Sequence, residues 1–195
     1  MTCVFFRIII IISVLQVINP GGHITNVVEI LNQRNIKKTE AREVIVRIIQ
    51  KGDFSLNESV KELEMLKDKQ IATFLEAVEF ISGQKESAIG AEYLNFAKKY
   101  ILSDNNSCKR EASRIVGNMA STYPDQLDDA IAALLVNTEN EGTVVRWSSA
   151  YALSRIIVLK RYSESELVQQ IRDICESETE NGVRNQYVKA LKKLG

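Results

Sequence analysis

Three residues stand at a spacing that could build a binding surface: Trp147, Tyr151 and Arg155 follow one another at intervals of four. At about 100° per residue such side chains share one helix face, and an aromatic ring beside a guanidinium offers contact area together with a cation. Arg110, Arg114 and Asn118 occupy the equivalent positions one offset upstream, and Asn185, Lys189 and Lys193 those one offset downstream. None is acidic. A surface of this kind suits an acidic protein segment, or phosphates with a base stacked on Trp147.

The same residue types offer little for catalysis. The only histidine, His23, follows Pro20-Gly21-Gly22 and lies far from the aromatic-basic stripe, so the usual general base is not presented there. There is no P-loop, no dinucleotide fingerprint and no clustered set of histidine and cysteine. No catalytic residue, metal ligand or cofactor is therefore expected. Cys3, Cys108 and Cys175 are odd in number and far apart, the pattern of free, packed thiols in a reducing compartment.

With 25 basic and 25 acidic side chains the formal charge is zero, and any electrostatic preference has to be local. Residues 1–22 form an apolar leader whose densest stretch, Cys3 to Ile18, is interrupted by Arg7 and falls short of the roughly 20 residues of a membrane span. Membrane contact is expected only if this leader acts as an anchor; otherwise the expectation is a cytoplasmic protein with one domain over residues 23–195.

The elements that must carry the stripe are helical. From Ile24 onward apolar residues recur at spacings of three and four, never two, and turn residues divide the chain into about ten short helices. Ala41, Val44, Ile45, Ile48 and Ile49 form one such stripe, ending at Gly52; Ile71, Phe74, Leu75, Val78 and Ile81 form another, ending at Gly83. Ser55 to Glu58 and Ser163 to Glu166 both read as capping boxes, and Pro124 reads as a helix start. Later helices are expected over Cys108 to Ala120, Asp125 to Val136, Thr143 to Lys160, Glu164 to Ser177 and Val183 to Leu194.

Three of these segments superpose without gaps: CKREASRIVGNM from Cys108, VRWSSAYALSRI from Val145 and VRNQYVKALKKL from Val183, at offsets of 37 and 38 residues. A repeat of that length made of helix pairs marks a solenoid. The later two copies resemble the second helix of HEAT repeats, through Val145-Arg146, Ala150, Ala152-Leu153 and Ile156, and through Val183-Arg184, Ala190-Leu191 and Leu194. The copy at Cys108 has Cys-Lys for Val-Arg, and the earlier helices share only the rhythm. The resemblance implies an all-α solenoid of about five stacked antiparallel helical hairpins, with motif helices on the concave side. It also implies that Arg146 and Arg184 pair with acids of adjoining repeats.

Charge is sorted by helix. Through the three motif helices and their ends, eleven basic side chains stand against the single acid Glu111, whereas segments 124–141 and 163–180 carry eleven acids against Arg172 alone. The sorting either builds a basic concave face or supplies ion pairs between the two layers. The expected function is a non-catalytic protein-binding scaffold or adaptor that presents Arg110, Arg114, Trp147, Tyr151, Arg155, Lys189 and Lys193 to an acidic protein segment. The alternative is a nucleic-acid-binding HEAT-like protein. Trp147, Tyr151 and Arg155 also resemble the aromatic-basic concavity of alkylpurine DNA glycosylases, but no acid is expected on that wall and that family's catalytic motif has no counterpart in this sequence.

Overall fold

The computed structural model describes residues 26–87 and 89–195. The leader, Cys3, His23 and Ile24 lie outside them. Ten α-helices follow in order: α1 Val27–Asn32, α2 Lys38–Lys51, α3 Leu56–Glu64, α4 Asp68–Ser82, α5 Ala91–Lys98, α6 Asn106–Met119, α7 Asp128–Val136, α8 Thr143–Ile156, α9 Glu166–Ser177 and α10 Asn181–Leu191. Among the described residues there is no strand.

Local chemistry sets several of the helix ends. Asn105 caps α6, its Oδ1 accepting from the N–H groups of Ser107 (2.9 Å) and Cys108 (3.2 Å). Gly52 ends α2 at φ 76°, a left-handed conformation that favours glycine. Pro124 opens a short 3₁₀ turn, Pro124–Gln126, just before α7. The capping boxes read from sequence do not form. Ser55 stands at the start of α3 without a side-chain capping bond. α9 begins behind Ser165, two residues after the expected Ser163, and Ser165 does not cap it because its hydroxyl turns back and donates to the Tyr162 carbonyl at 2.7 Å.

The second helices of successive hairpins, α2, α4, α6, α8 and α10, pack each on the next, while α3, α5, α7 and α9 touch one another far less. The second helices form the inner layer, the one in closer mutual contact, and its face is the wall that carries the stripe. The inner helices α4, α6, α8 and α10 begin at Asp68, Asn106, Thr143 and Asn181, which carries the repeat one unit upstream of the legible motif. The motif leads Cys108, Val145 and Val183 are all buried. Buried apolar residues from Val27 to Ala190 form one connected core. Phe54, Phe74, Phe96 and Tyr100 make a chain of edge-on and tilted aromatic contacts through its upstream half.

The tightest junction is between α6 and α8. A Cβ placed on Gly117 would lie 2.9 Å from Ala152 Cα and 3.1 Å from the Tyr151 ring, so a residue without a side chain lets the two helices meet. Glycine in a helix interior costs about 1 kcal/mol relative to alanine, and here the close approach it permits offsets that cost. We expect Gly117→Val to lower the unfolding free energy by about 1–3 kcal/mol through overpacking. Urea unfolding followed by circular dichroism checks this; an unchanged midpoint would show that the junction relaxes freely.

Candidate functional site

The aromatic-basic stripe is a single stack on α8. The rings of Trp147 and Tyr151 lie 5.6 Å apart at 18°, and the Arg155 guanidinium carbon sits 4.4 Å from the Tyr151 centroid. Tyr151 is fixed from the side as well. Its hydroxyl donates to Asn118 Oδ1 at 2.6 Å, and Asn118 Nδ2 donates to Ser82 Oγ at 3.0 Å and to the Glu79 carbonyl at 3.3 Å. One polar chain therefore ties three consecutive inner helices together beneath the stack. Burial raises the Tyr151 hydroxyl above its ordinary range, despite the nearby Arg155 charge, and keeps it a donor.

Beside this stack, between the C-terminal halves of α8 and α10, lies a groove of about 420 Å³. Tyr151, Ser154, Arg155, Gln186, Lys189 and Lys193 line it together with small and apolar residues, and no carboxylate is among the lining. Ser154 Oγ is buried without a hydrogen-bond partner among the described residues. Arg155 also borders a second cavity of about 340 Å³, shared with Ser82, Asn118 and Ser121.

Arg110 and Arg114 have a different fate. Arg110 Nε donates to Glu111 Oε1 at 2.8 Å, and Arg114 pairs with Glu79 at 2.6 Å and Glu111 at 3.7 Å. Glu111 is only 2% exposed. The expectation of a wall without acids is thus corrected. α4 brings Glu76 and Glu79 onto it, and Lys38 and Arg42 of α2 pair with Glu76. Burial raises the Glu79 carboxyl above the ordinary range, outweighing the Arg114 charge, with Glu111 adding to the rise. The upstream half of the wall neutralises itself, whereas Arg155, Lys189 and Lys193 form no ion pair with a described residue.

Three features escaped the sequence reading. Glu79 stands one repeat offset before Gly117, in a helix where the motif is no longer legible. Gly117 carries no side chain to pattern. A further cavity of about 520 Å³, bordered by Arg34, Lys38, Lys67 and Lys69, gathers residues from separate turns at the other end of the stack. Cys108 and Cys175 are buried free thiols, and burial pushes the Cys108 thiol up to about 11.

No family model and no curated protein matches the chain. Among solved structures, a designed armadillo repeat protein superposes with TM-score 0.62 at 18% identity, over 87% of this chain and 81% of its own. A second, in complex with the peptide (KR)4, gives 0.62 at 16%, over 87% and 86%. An engineered protein from a structural genomics consortium gives 0.64 at 21%, over 93% and 84%. The fold is an armadillo/HEAT-like repeat solenoid.

In this solenoid Arg146 plays the part that the HEAT pattern implies. Its Nε donates to Glu178 Oε2 of the adjoining hairpin at 3.0 Å, and its Nη1 to the carbonyls of Asn140 and Glu141. Arg184 departs from that pattern and takes Asn181 Oδ1 of its own helix at 2.7 Å. Arg161 likewise joins layers, through Asp125 and Asp128, so part of the sorted charge is spent between layers. Among the described residues, no helix is long and apolar enough to cross a membrane.

Burial pushes the Glu178 carboxyl up, but hydrogen bonds from Arg146 and from the N–H groups of Glu180 and Thr179 more than offset it and hold it below the ordinary value of 4.5. A lowered folded value means stabilisation that is fully present above 4.5 and lost as pH falls through the folded value. We expect Glu178→Gln to cost about 1.5–3 kcal/mol at neutral pH and to flatten the acid limb of stability against pH. Urea midpoints across that limb test this; parallel limbs in the two proteins would refute it.

Proposed function

We propose that this solenoid is a non-catalytic binding scaffold, one domain over residues 23–195, whose groove between α8 and α10 holds an acidic protein segment. The observation that carries the reading is the groove's lining, in which Arg155, Lys189 and Lys193 come together with no carboxylate. Complementary charge gives such a surface selectivity and speeds encounter. The Trp147–Tyr151 stack supplies rigid contact area beside the cations. Arg110 and Arg114, held by Glu79 and Glu111, shape the wall upstream instead of meeting the ligand.

The designed solenoid in complex with (KR)4 supports a peptide as the kind of ligand this fold accepts. Its peptide is basic, and a groove lined by cations calls for the opposite sign. The three groove cations cluster in one concavity of about 420 Å³ beside an aromatic stack, which suits a short peptide segment better than a nucleic acid, whose phosphates recur along a track and reward a line of cations. The buried thiols of Cys108 and Cys175 support a reducing, cytoplasmic setting.

A labelled glutamate-rich peptide titrated against the protein tests the reading, with Arg155→Glu and Lys189→Glu as variants and a single-stranded oligonucleotide in parallel. Binding is expected to weaken about tenfold in each variant and to fall with salt, helicity being unchanged. Absence of peptide binding at low salt, or undiminished binding by both folded variants, would end the proposal; tighter, salt-steep binding of the oligonucleotide would move it to nucleic acid.

A further inference from the structure

We infer that the group seated in the α8–α10 groove is a phosphoryl group, carried by a phosphorylated residue of the acidic segment. This rests on the reading above and narrows its ligand.

Charge balance comes first. Three cations border one concavity of about 420 Å³. An aspartate or glutamate seated there brings one negative charge, and each further carboxylate of the segment needs its own side chain inside the same concavity. A phosphorylated side chain carries about −1.5 to −2 at neutral pH, with three acceptor oxygens. Lys189 lies in the last turn of α10 and Lys193 two residues beyond its end, so two like charges border the same concavity without a carboxylate between them. The helix dipole favours cations at the C-terminal ends of α8 and α10. It does not account for the lack of any carboxylate around them.

Donor geometry follows. Besides the cations, the groove offers Gln186 and the Ser154 hydroxyl, whose oxygen has no partner among the described residues. The Tyr151 hydroxyl is already spent on Asn118. The Arg155 guanidinium rests against the Tyr151 ring, and Tyr151 is held by Trp147 and Asn118. No described carboxylate occupies its N–H groups. A planar fork loses little entropy on gripping two oxygens of a phosphoryl group, which a flexible lysine cannot match.

The test uses one glutamate-rich peptide in three forms, with serine, glutamate or phosphoserine at its centre, measured by calorimetry and by the fluorescence of Trp147, the single tryptophan. The phosphoserine form is expected to bind about tenfold more tightly than the glutamate form. Arg155→Lys is expected to erase most of that preference while changing the affinity for the glutamate form by no more than about twofold. Equal affinity for the phosphoserine and glutamate forms would overturn the inference and leave the acidic-segment reading standing. Failure of all three forms to bind would overturn both. Displacement of the phosphoserine form by an oligonucleotide at equal phosphate concentration would assign the site to nucleic acid instead.

Discussion

The approach of α6 to α8 at Gly117 and Ala152 is the contact on which the wall of inner helices depends. It brings two inner helices to backbone distance and lays the Tyr151 ring against α6, within reach of Asn118. From Tyr151 the order passes outward: Trp147 stacks on one side of the ring, Arg155 rests over it, and Asn118 carries the connection to Ser82 and the Glu79 carbonyl on α4. Side chains from three repeats are positioned by a residue that has none. The wall is therefore a property of the junction and not of any one hairpin, as expected where each unit leaves an apolar face for its neighbour to cover.

Electrostatics divides the same wall into two halves. Upstream, α2, α4 and α6 contribute cations and acids in nearly matched sets, and partly buried arginines surround a buried Glu111. A buried acid without its arginines would be costly, so this half is bound to its internal partners. Downstream, α8 and α10 contribute cations to a groove with no acid in its lining. Between the layers, the partly buried pair of Arg146 with Glu178 links successive hairpins, and Arg161 meets Asp125 and Asp128 at the surface. A formal charge of zero thus conceals three separate uses of charge, and on the α8–α10 side the groove leaves three cations for a ligand.

The helical rhythm, the 37- and 38-residue offsets and the HEAT-like positions Val145, Ala150, Ala152, Leu153 and Ile156 were legible in the sequence, and the structure buries all five of those residues. These are consequences of a helix period and a repeat length, which a linear string records directly. The capping boxes at Ser55 and Ser163 were misread because capping depends on where a side chain turns, and Ser165 turns back onto the Tyr162 carbonyl.

The sequence by itself determined that the chain forms stacked helical hairpins and that Trp147, Tyr151 and Arg155 share a face, since both follow from spacing along one chain. Only the tertiary structure decided which cations remain available. Arg114 meets Glu79, and Arg146 meets Glu178, across repeats more than thirty residues apart. Ion pairing reaches only a few ångströms, so it depends on how closely and in what register neighbouring helices pack, and nothing in residue order alone fixes that distance.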